Sequence, residues 1–160
     1  KVPDVIIKLS KLMEYVLYDI EGTKYVSLIK EIDYIQNYIE IEKLRFENVE
    51  VTLNIESNID NVIVPPLLFI SLIENAFKHG GYNNKKLKIK INCKIVDKFF
   101  YLEIINNFVL SPSVKNQKGI GLVNTKKRLK LIYKNNFSIE HQVKFNYYII
   151  QLKIPINNED

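Results

Sequence analysis

"SLIENAFKHGG", residues 71–81, closes an apolar run, "VIVPPLLFISLI" at 62–73, and how it is read decides the fold. On a helix, residues four apart share a face. Ser71, Asn75 and His79 then form one polar stripe, with Leu68, Leu72 and Ala76 beside it. Burying a polar group without a partner costs about 1–3 kcal/mol. The stripe must therefore meet other protein groups or a polar ligand, with or without a metal ion. Pro65-Pro66 is expected to open this helix and Gly80-Gly81 to close it.

Working outward, "DVIIKLSKLMEYVLY" at 4–18 sets Val5, Leu9, Leu12 and Val16 on one stripe, flanked by Ile6, Met13 and Leu17, and predicts an amphipathic helix. A second helix is expected from Ser27 to Phe46, with a heptad-like seam of Leu28, Ile32, Ile35, Ile39 and Phe46. That seam suits packing on its own domain or pairing between chains. At Val49 the period changes to two. "VEVTLNI", "LKIKINCKI" and "FFYLEIINN" alternate as half-buried strands, which makes Cys93 a small buried residue and not a nucleophile. Residues 108–118 lack periodicity and read as a loop. "GIGLVNTKKRLKLIY" at 119–133 predicts a helix burying Leu122, Leu129, Ile132 and Tyr133. "FSIEHQV" and "FNYYIIQLKI" predict a hairpin, and 157–160 a polar tail. The order of elements gives an α+β fold, one mixed sheet covered on one face by helices and preceded by two amphipathic helices.

Composition narrows the function. The 160 residues begin at Lys1, which suggests a piece of a longer protein, and a single cysteine excludes a disulfide framework and points to a reducing compartment. Two histidines give no cluster with zinc-ligand spacing. The longest apolar run, 62–73, is far short of the roughly 20 residues of a membrane span, and there is no signal-peptide pattern. The net charge of +5 invites a nucleic-acid reading, but only Arg45 and Arg128 of the 23 basic residues are arginine, the residue suited to bidentate recognition. The lysines fall mostly on outward positions. Neither nucleic acid nor a membrane surface is expected as a partner of this segment.

Of five glycines, four sit in two places, Gly80-Gly81 and Gly119-Gly121. Glycine is kept where φ must be positive or where a ligand approaches the backbone. "KGIGL" offers free N–H groups at a positive helix end, a place for phosphate or simply a helix start. Paired with Asn75, Lys78 and His79 it suits a magnesium ion and nucleotide phosphates, since magnesium needs few protein oxygens and keeps several waters. Asn106-Asn107 ends a strand and fits either a turn or the reading of a polar base edge.

In that order, "PPLLFISLIENAFKHG", "LEIINN" and "GIGLVNTKKRL" resemble the N, G1 and G2 boxes of the GHKL, or Bergerat-fold, ATP-binding domain. Upstream, "LSKLMEYVLY" and "VSLIKEIDYIQNYIEIEKLRF" resemble the LytS/YehU-like branch of sensor histidine kinases. The resemblance implies a Bergerat α/β sandwich over residues 47–156, with the end of a helical dimerisation region at 1–46. It implies ATP and Mg2+ as cofactors, Asn75 as metal ligand and, with Glu74, as catalytic residue, Glu74 orienting a water or the metal shell. Lys78 and His79 fall at phosphate and at the adenine-ribose side, and Asn106 at the adenine amino group. Gly119, Ile120, Gly121 and Leu122 fall at phosphate, residues 108–118 on the ATP lid, and Arg128 either at phosphate or in an ion pair. Also implied are a homodimer through the helical region, a response regulator of LytTR type, and a cytoplasmic position in a membrane-anchored bacterial protein.

Three positions depart from the family pattern. Asn106 and Phe108 replace an aspartate and a glycine of the G1 box, and Glu14 stands where this branch commonly has arginine. An asparagine oxygen still accepts from an adenine amino group, without charge assistance. The function expected is transfer of the ATP γ-phosphoryl group to a histidine upstream of this segment. The alternatives are a GHKL ATPase or serine-kinase module, and a non-catalytic nucleotide-binding interaction domain.

Overall fold

A computed structural model describes residues 2–46, 48–56, 58–80, 86–107 and 120–158. The chain forms two compact units, and their described parts are 2–46, 59–68 and 156–158 for the first, and 48–56, 58, 69–80, 86–107 and 120–155 for the second. The helical unit thus takes in two segments beyond residue 46.

In the first unit, helix α1 (Val2–Glu14) runs into a π turn at Tyr15–Asp19, and α2 (Leu28–Arg45) follows a two-residue strand β1 (Val26–Ser27). Ser27 caps α2, its hydroxyl accepting from Ile29 N–H at 3.3 Å. The seam residues Leu28, Ile32, Ile35 and Ile39 are buried within the single chain. On α1 the expected stripe shifts. Tyr15 is buried and Val5 and Leu12 are half-buried, but Leu9 and Val16 are exposed. The π turn adds about one residue to its turn of helix and so takes Val16 off the i, i+4 stripe.

Strand β3 (Val62–Val64) lies inside the apolar run and pairs antiparallel with β1 and with β8 (Asn157–Asn158). Asn157 and Asn158 are therefore ladder residues and not part of a tail. The prolines do not open a helix. Leu67 takes a φ of 53°, which breaks any helix there, and α3 begins at Ile70 and ends at His79.

The second unit is a five-stranded mixed sheet in the order β2-β4-β5-β7-β6. Its strands are β2 (Val49–Ile55), β4 (Leu87–Val96), β5 (Phe99–Asn107), β6 (Ser138–Lys144) and β7 (Tyr147–Pro155). β2 runs parallel to β4, and the other neighbours are antiparallel. Period-two alternation places Ile89, Ile91, Phe100, Leu102, Ile104, Ile150 and Leu152 on the buried face. Helices α3 and α4 (Ile120–Tyr133) pack on each other, and α3 packs on β4 and β5, burying Leu72, Ile73, Ala76, Phe77 and Leu129. Phe69 meets Phe100 with ring centroids 5.3 Å apart. Cys93 is buried in this core, which pushes its thiol pKa up to about 12, so it is inert as the alternation predicts.

Candidate functional site

Helix α3 carries the polar stripe at an intermediate depth. Ser71, Asn75 and His79 are half-buried, while Glu74 and Lys78 point to solvent. The stripe is therefore not sunk in the core, and part of its hydrogen bonding is met by α4. Ser71 Oγ lies 2.7 Å from Thr125 Oγ1, and Thr125 donates to Gly121 O at 2.8 Å. With that proton committed, the Ser71 hydroxyl donates to Thr125. Thr125 is buried, one turn beyond Gly121 and one before Leu129. Thr125 is not among the residues expected at the site, although its four-residue spacing from Gly121 and Leu129 places it on their face.

Asn75 and Gly121 meet directly. A Cβ at position 121 would lie 3.1 Å from Asn75 Nδ2 and 3.3 Å from Oδ1, so glycine here lets the side-chain amide lie close over the first turn of α4. Ile120 opens that helix, and Leu122 and Arg128 on it are half-buried. Gly119, the loop at 108–118 including Phe108, and Gly81 lie outside the described residues.

The end of α3 meets the end of β5. A Cβ on Gly80 would lie 2.2 Å from Leu87 Cδ1, 2.7 Å from Ala76 O and 3.3 Å from Asn107 O. Gly80 has a φ of −86°, so this glycine serves close packing and not a left-handed turn. Asn106 is 1 % exposed, opposite Ile89 on β4 and Tyr148 on β7, and its Nδ2 donates to Asn107 O at 3.3 Å. Asn107 latches the adjacent strand: Oδ1 accepts from Lys88 N–H at 2.7 Å and Nδ2 donates to Lys86 O at 2.9 Å. Asn107 is thus a strand-end brace, neither a turn residue nor a free amide. Burial, and next the neighbouring Lys78 ammonium, hold the His79 imidazole below its ordinary pKa, which favours the neutral ring.

On the opposite face of the sheet, a groove of about 340 Å³ is lined by Lys94, Tyr101, Glu103 and Lys153 among others. A row of hydrogen bonds crosses four strands on this face, and its Asn92, Glu103 and Gln151 line the groove. Asn54 donates to Asn92 at 2.9 Å, and Asn92 and Gln151 donate to Glu103 at 3.0 and 2.8 Å. That row holds none of the residues singled out in the sequence. Among the described residues, no group of three or more His, Cys, Asp or Glu side chains could hold a metal ion, and no helix is long and apolar enough to cross a membrane.

Comparison with known proteins bears on this arrangement. The histidine kinase family model matches residues 1–49. The sensor histidine kinase BtsS of Escherichia coli K12 is 27 % identical over 140 residues, covering 86 % of this chain and 25 % of that protein. The sensor histidine kinase/phosphatase LytS of Staphylococcus aureus MRSA252 is 34 % identical over 71 residues, 42 % of this chain and 12 % of LytS. The solved catalytic domain of histidine kinase ThkA has a TM-score of 0.63 at 19 % identity, covering 84 % of this chain and 97 % of that one. ThkA in complex with response regulator protein TrrA matches with a TM-score of 0.51 at 18 % identity, covering 94 % and 48 %. The chain spans about a quarter or less of the length of these two curated relatives. It is homologous to sensor histidine kinases and has the fold of histidine kinase catalytic domains.

Proposed function

We propose that this chain is the catalytic, ATP-binding part of a two-component sensor histidine kinase. The observation that carries the reading is the seat of the Asn75 amide on Gly121. Two glycine-dependent contacts bring three sequence motifs together, α3 to α4 at Asn75–Gly121 and α3 to β5 at Gly80–Asn107. At the first, a polar side chain lies beside the N-terminal turn of α4, where backbone N–H groups and the helix dipole favour anions.

The residues fit Mg-ATP. In this reading Asn75 holds Mg2+ through its amide oxygen, with phosphates and water completing the shell. Gly119, Ile120, Gly121 and Leu122 supply backbone to phosphate, and exposed Lys78 and half-buried Arg128 supply positive charge. Asn106, with its Nδ2 turned to Asn107 O, leaves the Oδ1 as the atom to accept from an adenine amino group. Neutral His79 serves the ribose side, and solvent-facing Glu74 orients water or the metal shell. Bound Mg-ATP supplies an electrophilic γ-phosphoryl group whose charge the metal shares.

The acceptor in this reading is a histidine upstream of the segment. His79 belongs to the nucleotide-site helix, and His141 sits on edge strand β6 with its ring 5.9 Å from Tyr148. Neither is on α1 or α2. The proposed setting is a homodimer paired through the helical region, a LytTR-type response regulator, and the cytoplasmic side of a membrane-anchored protein. The homology to sensor histidine kinases and the likeness to ThkA, solved in complex with response regulator protein TrrA, support the kinase and regulator parts of that setting.

The test is a nucleotide titration with and without magnesium on the parent and on Asn75→Ala. The parent should bind ATP more tightly with magnesium, and the variant should lose that dependence while keeping its circular-dichroism spectrum. A variant that binds Mg-ATP like the parent would remove Asn75 from the site.

A further inference from the structure

The carboxylate of Glu31, on α2, is 1 % exposed and accepts from two other stretches of the first unit. One donor is the Tyr15 hydroxyl, and the other is the backbone N–H of Leu67 at 2.6 Å. Each donor sits in unusual backbone. Tyr15 opens the π turn, which Ile20 N–H closes on Tyr15 O at 3.2 Å, and its ring lies 5.0 Å from Tyr34 of α2. Leu67 has a φ of 53°, a region that side-chain-bearing residues seldom occupy unless surrounding contacts hold them there. Short π segments inside helices occur often at functional places, and here the π turn is what brings a tyrosine to a buried acid.

The two contacts depend on one another. A charge-assisted bond from Leu67 N–H offsets the unfavourable backbone of that residue. A buried carboxylate, in turn, needs donors to remain charged, and Tyr15 is one. Burial and the bond to Glu31 raise the Tyr15 hydroxyl above its ordinary pKa, so it stays a donor. Withdrawing Tyr15 weakens the hold on Leu67, and moving Leu67 weakens the hold on Tyr15. Two residues after Leu67, the chain passes at Phe69 into the second unit, where Phe69 is the N-cap of α3. Helix α3 is the element that carries Asn75.

We propose that Glu31 is a conformational latch, coupling the π turn at the end of α1 to the backbone state of Leu67 and so to the segment that feeds α3. With the latch engaged, Leu67 is held left-handed. When a shift of α1 draws the Tyr15 hydroxyl away, Leu67 relaxes to an ordinary φ and the 65–68 segment is released. This is a two-state element of the kind that regulatory motions act on. It stands on the geometry of the first unit and does not depend on what α3 binds.

Site-resolved amide exchange on the whole chain tests it from both ends. Tyr15→Phe keeps the ring and deletes only the hydroxyl. It should speed exchange of the Leu67 amide tenfold or more, and leave amides of β4 and β5 within twofold of the parent. Leu67→Val keeps the N–H but tolerates positive φ poorly, and should speed exchange of the Ile20 amide at least threefold. Leu67→Gly, which adopts that φ freely, should leave Ile20 as in the parent. An unchanged Leu67 amide in Tyr15→Phe overturns the proposal. So does an equal rise across all amides of α2 and β3, which would mean general loosening. If Tyr15→Phe does not fold, Leu67→Val decides alone, and an unchanged Ile20 amide overturns the latch.

Discussion

The two units of this chain use the same kind of apolar periodicity to different ends. In the second, the alternation of β4, β5 and β7 is consumed by the fold: Ile91, Phe100, Leu102 and Ile154 are at most 2 % exposed. In the first, α1 and the π turn after it leave Ile6, Ile7, Leu9, Met13 and Leu17 between 50 and 59 % exposed. Periodicity thus says that a face is apolar, but not what covers it. The sheet unit closes its own core, whereas α1 presents more apolar surface than α2 covers. In the function proposed above, a second copy of the helical region covers that surface.

The comparison predicts its largest effect in the sheet. Phe100→Ala should lower the unfolding free energy by about 3–5 kcal/mol, because it empties a fully buried site. Leu9→Ala should change it by about 0.5 kcal/mol or less at concentrations where the chain is monomeric, and should weaken self-association in sedimentation. Equal losses in chemical denaturation would show that α1 is as much a core element as β5.

A smaller effect is expected at the junction of α3 and β5. Gly80→Ala brings a Cβ within 2.2 Å of Leu87 Cδ1 and 2.7 Å of a carbonyl that is fixed in the helix. Overpacking of this kind costs about 1–3 kcal/mol, and the midpoint of denaturation reads it. A Gly80→Ala variant as stable as the parent would mean that this junction is loose and that the close approach of Asn107 is not required.

Thr125→Val should cost about 1 kcal/mol, since the methyl replaces a hydroxyl that bonds both Ser71 and Gly121 O. Adding Ser71→Ala should then change little, because its partner is already gone. Additive losses would separate the two hydroxyls and break the proposed tie between α3 and α4.

The smallest expected effect is on the pH dependence of stability. His79 titrates below its ordinary value of 6.5 in the folded chain, with burial the main cause. The unfolded chain therefore binds the proton more readily just below that pH. Stability should fall as pH drops from 7 through 6 and return as pH rises. His79→Gln should flatten this part of the profile, and an unchanged slope would assign it to another group.

The parts of the fold that were legible in the sequence are those with local periodicity. "LKIKINCKI" alternates lysine with apolar residues, and Leu87, Ile89, Ile91 and Cys93 are buried as that alternation requires. The stripe of Ser71, Asn75 and His79 is visible from the four-residue spacing alone, and so is the buried face of α4. The small sheet β1-β3-β8 was not legible. Its strands are two or three residues long, too short to show a period, and its partners are distant: Val26 with Val64, Ile63 with Asn157. For the same reason, the Pro65-Pro66 pair reads as a helix start when the segment before it is already a strand.

By itself, the sequence determined which faces are apolar, where helices end at glycine, and that an amide, a lysine and a histidine share one short helix. These follow from side-chain chemistry and the fixed periods of helix and strand. Only the tertiary structure decided which glycine serves which purpose: Gly121 lies under an amide, and Gly80 lies against a leucine and a strand carbonyl. It also decided that Asn107 braces β4 while Asn106 is buried, and that Glu31 gathers donors from residues 15 and 67. Such roles depend on what approaches from far along the chain, and short-range spacing carries no record of that approach.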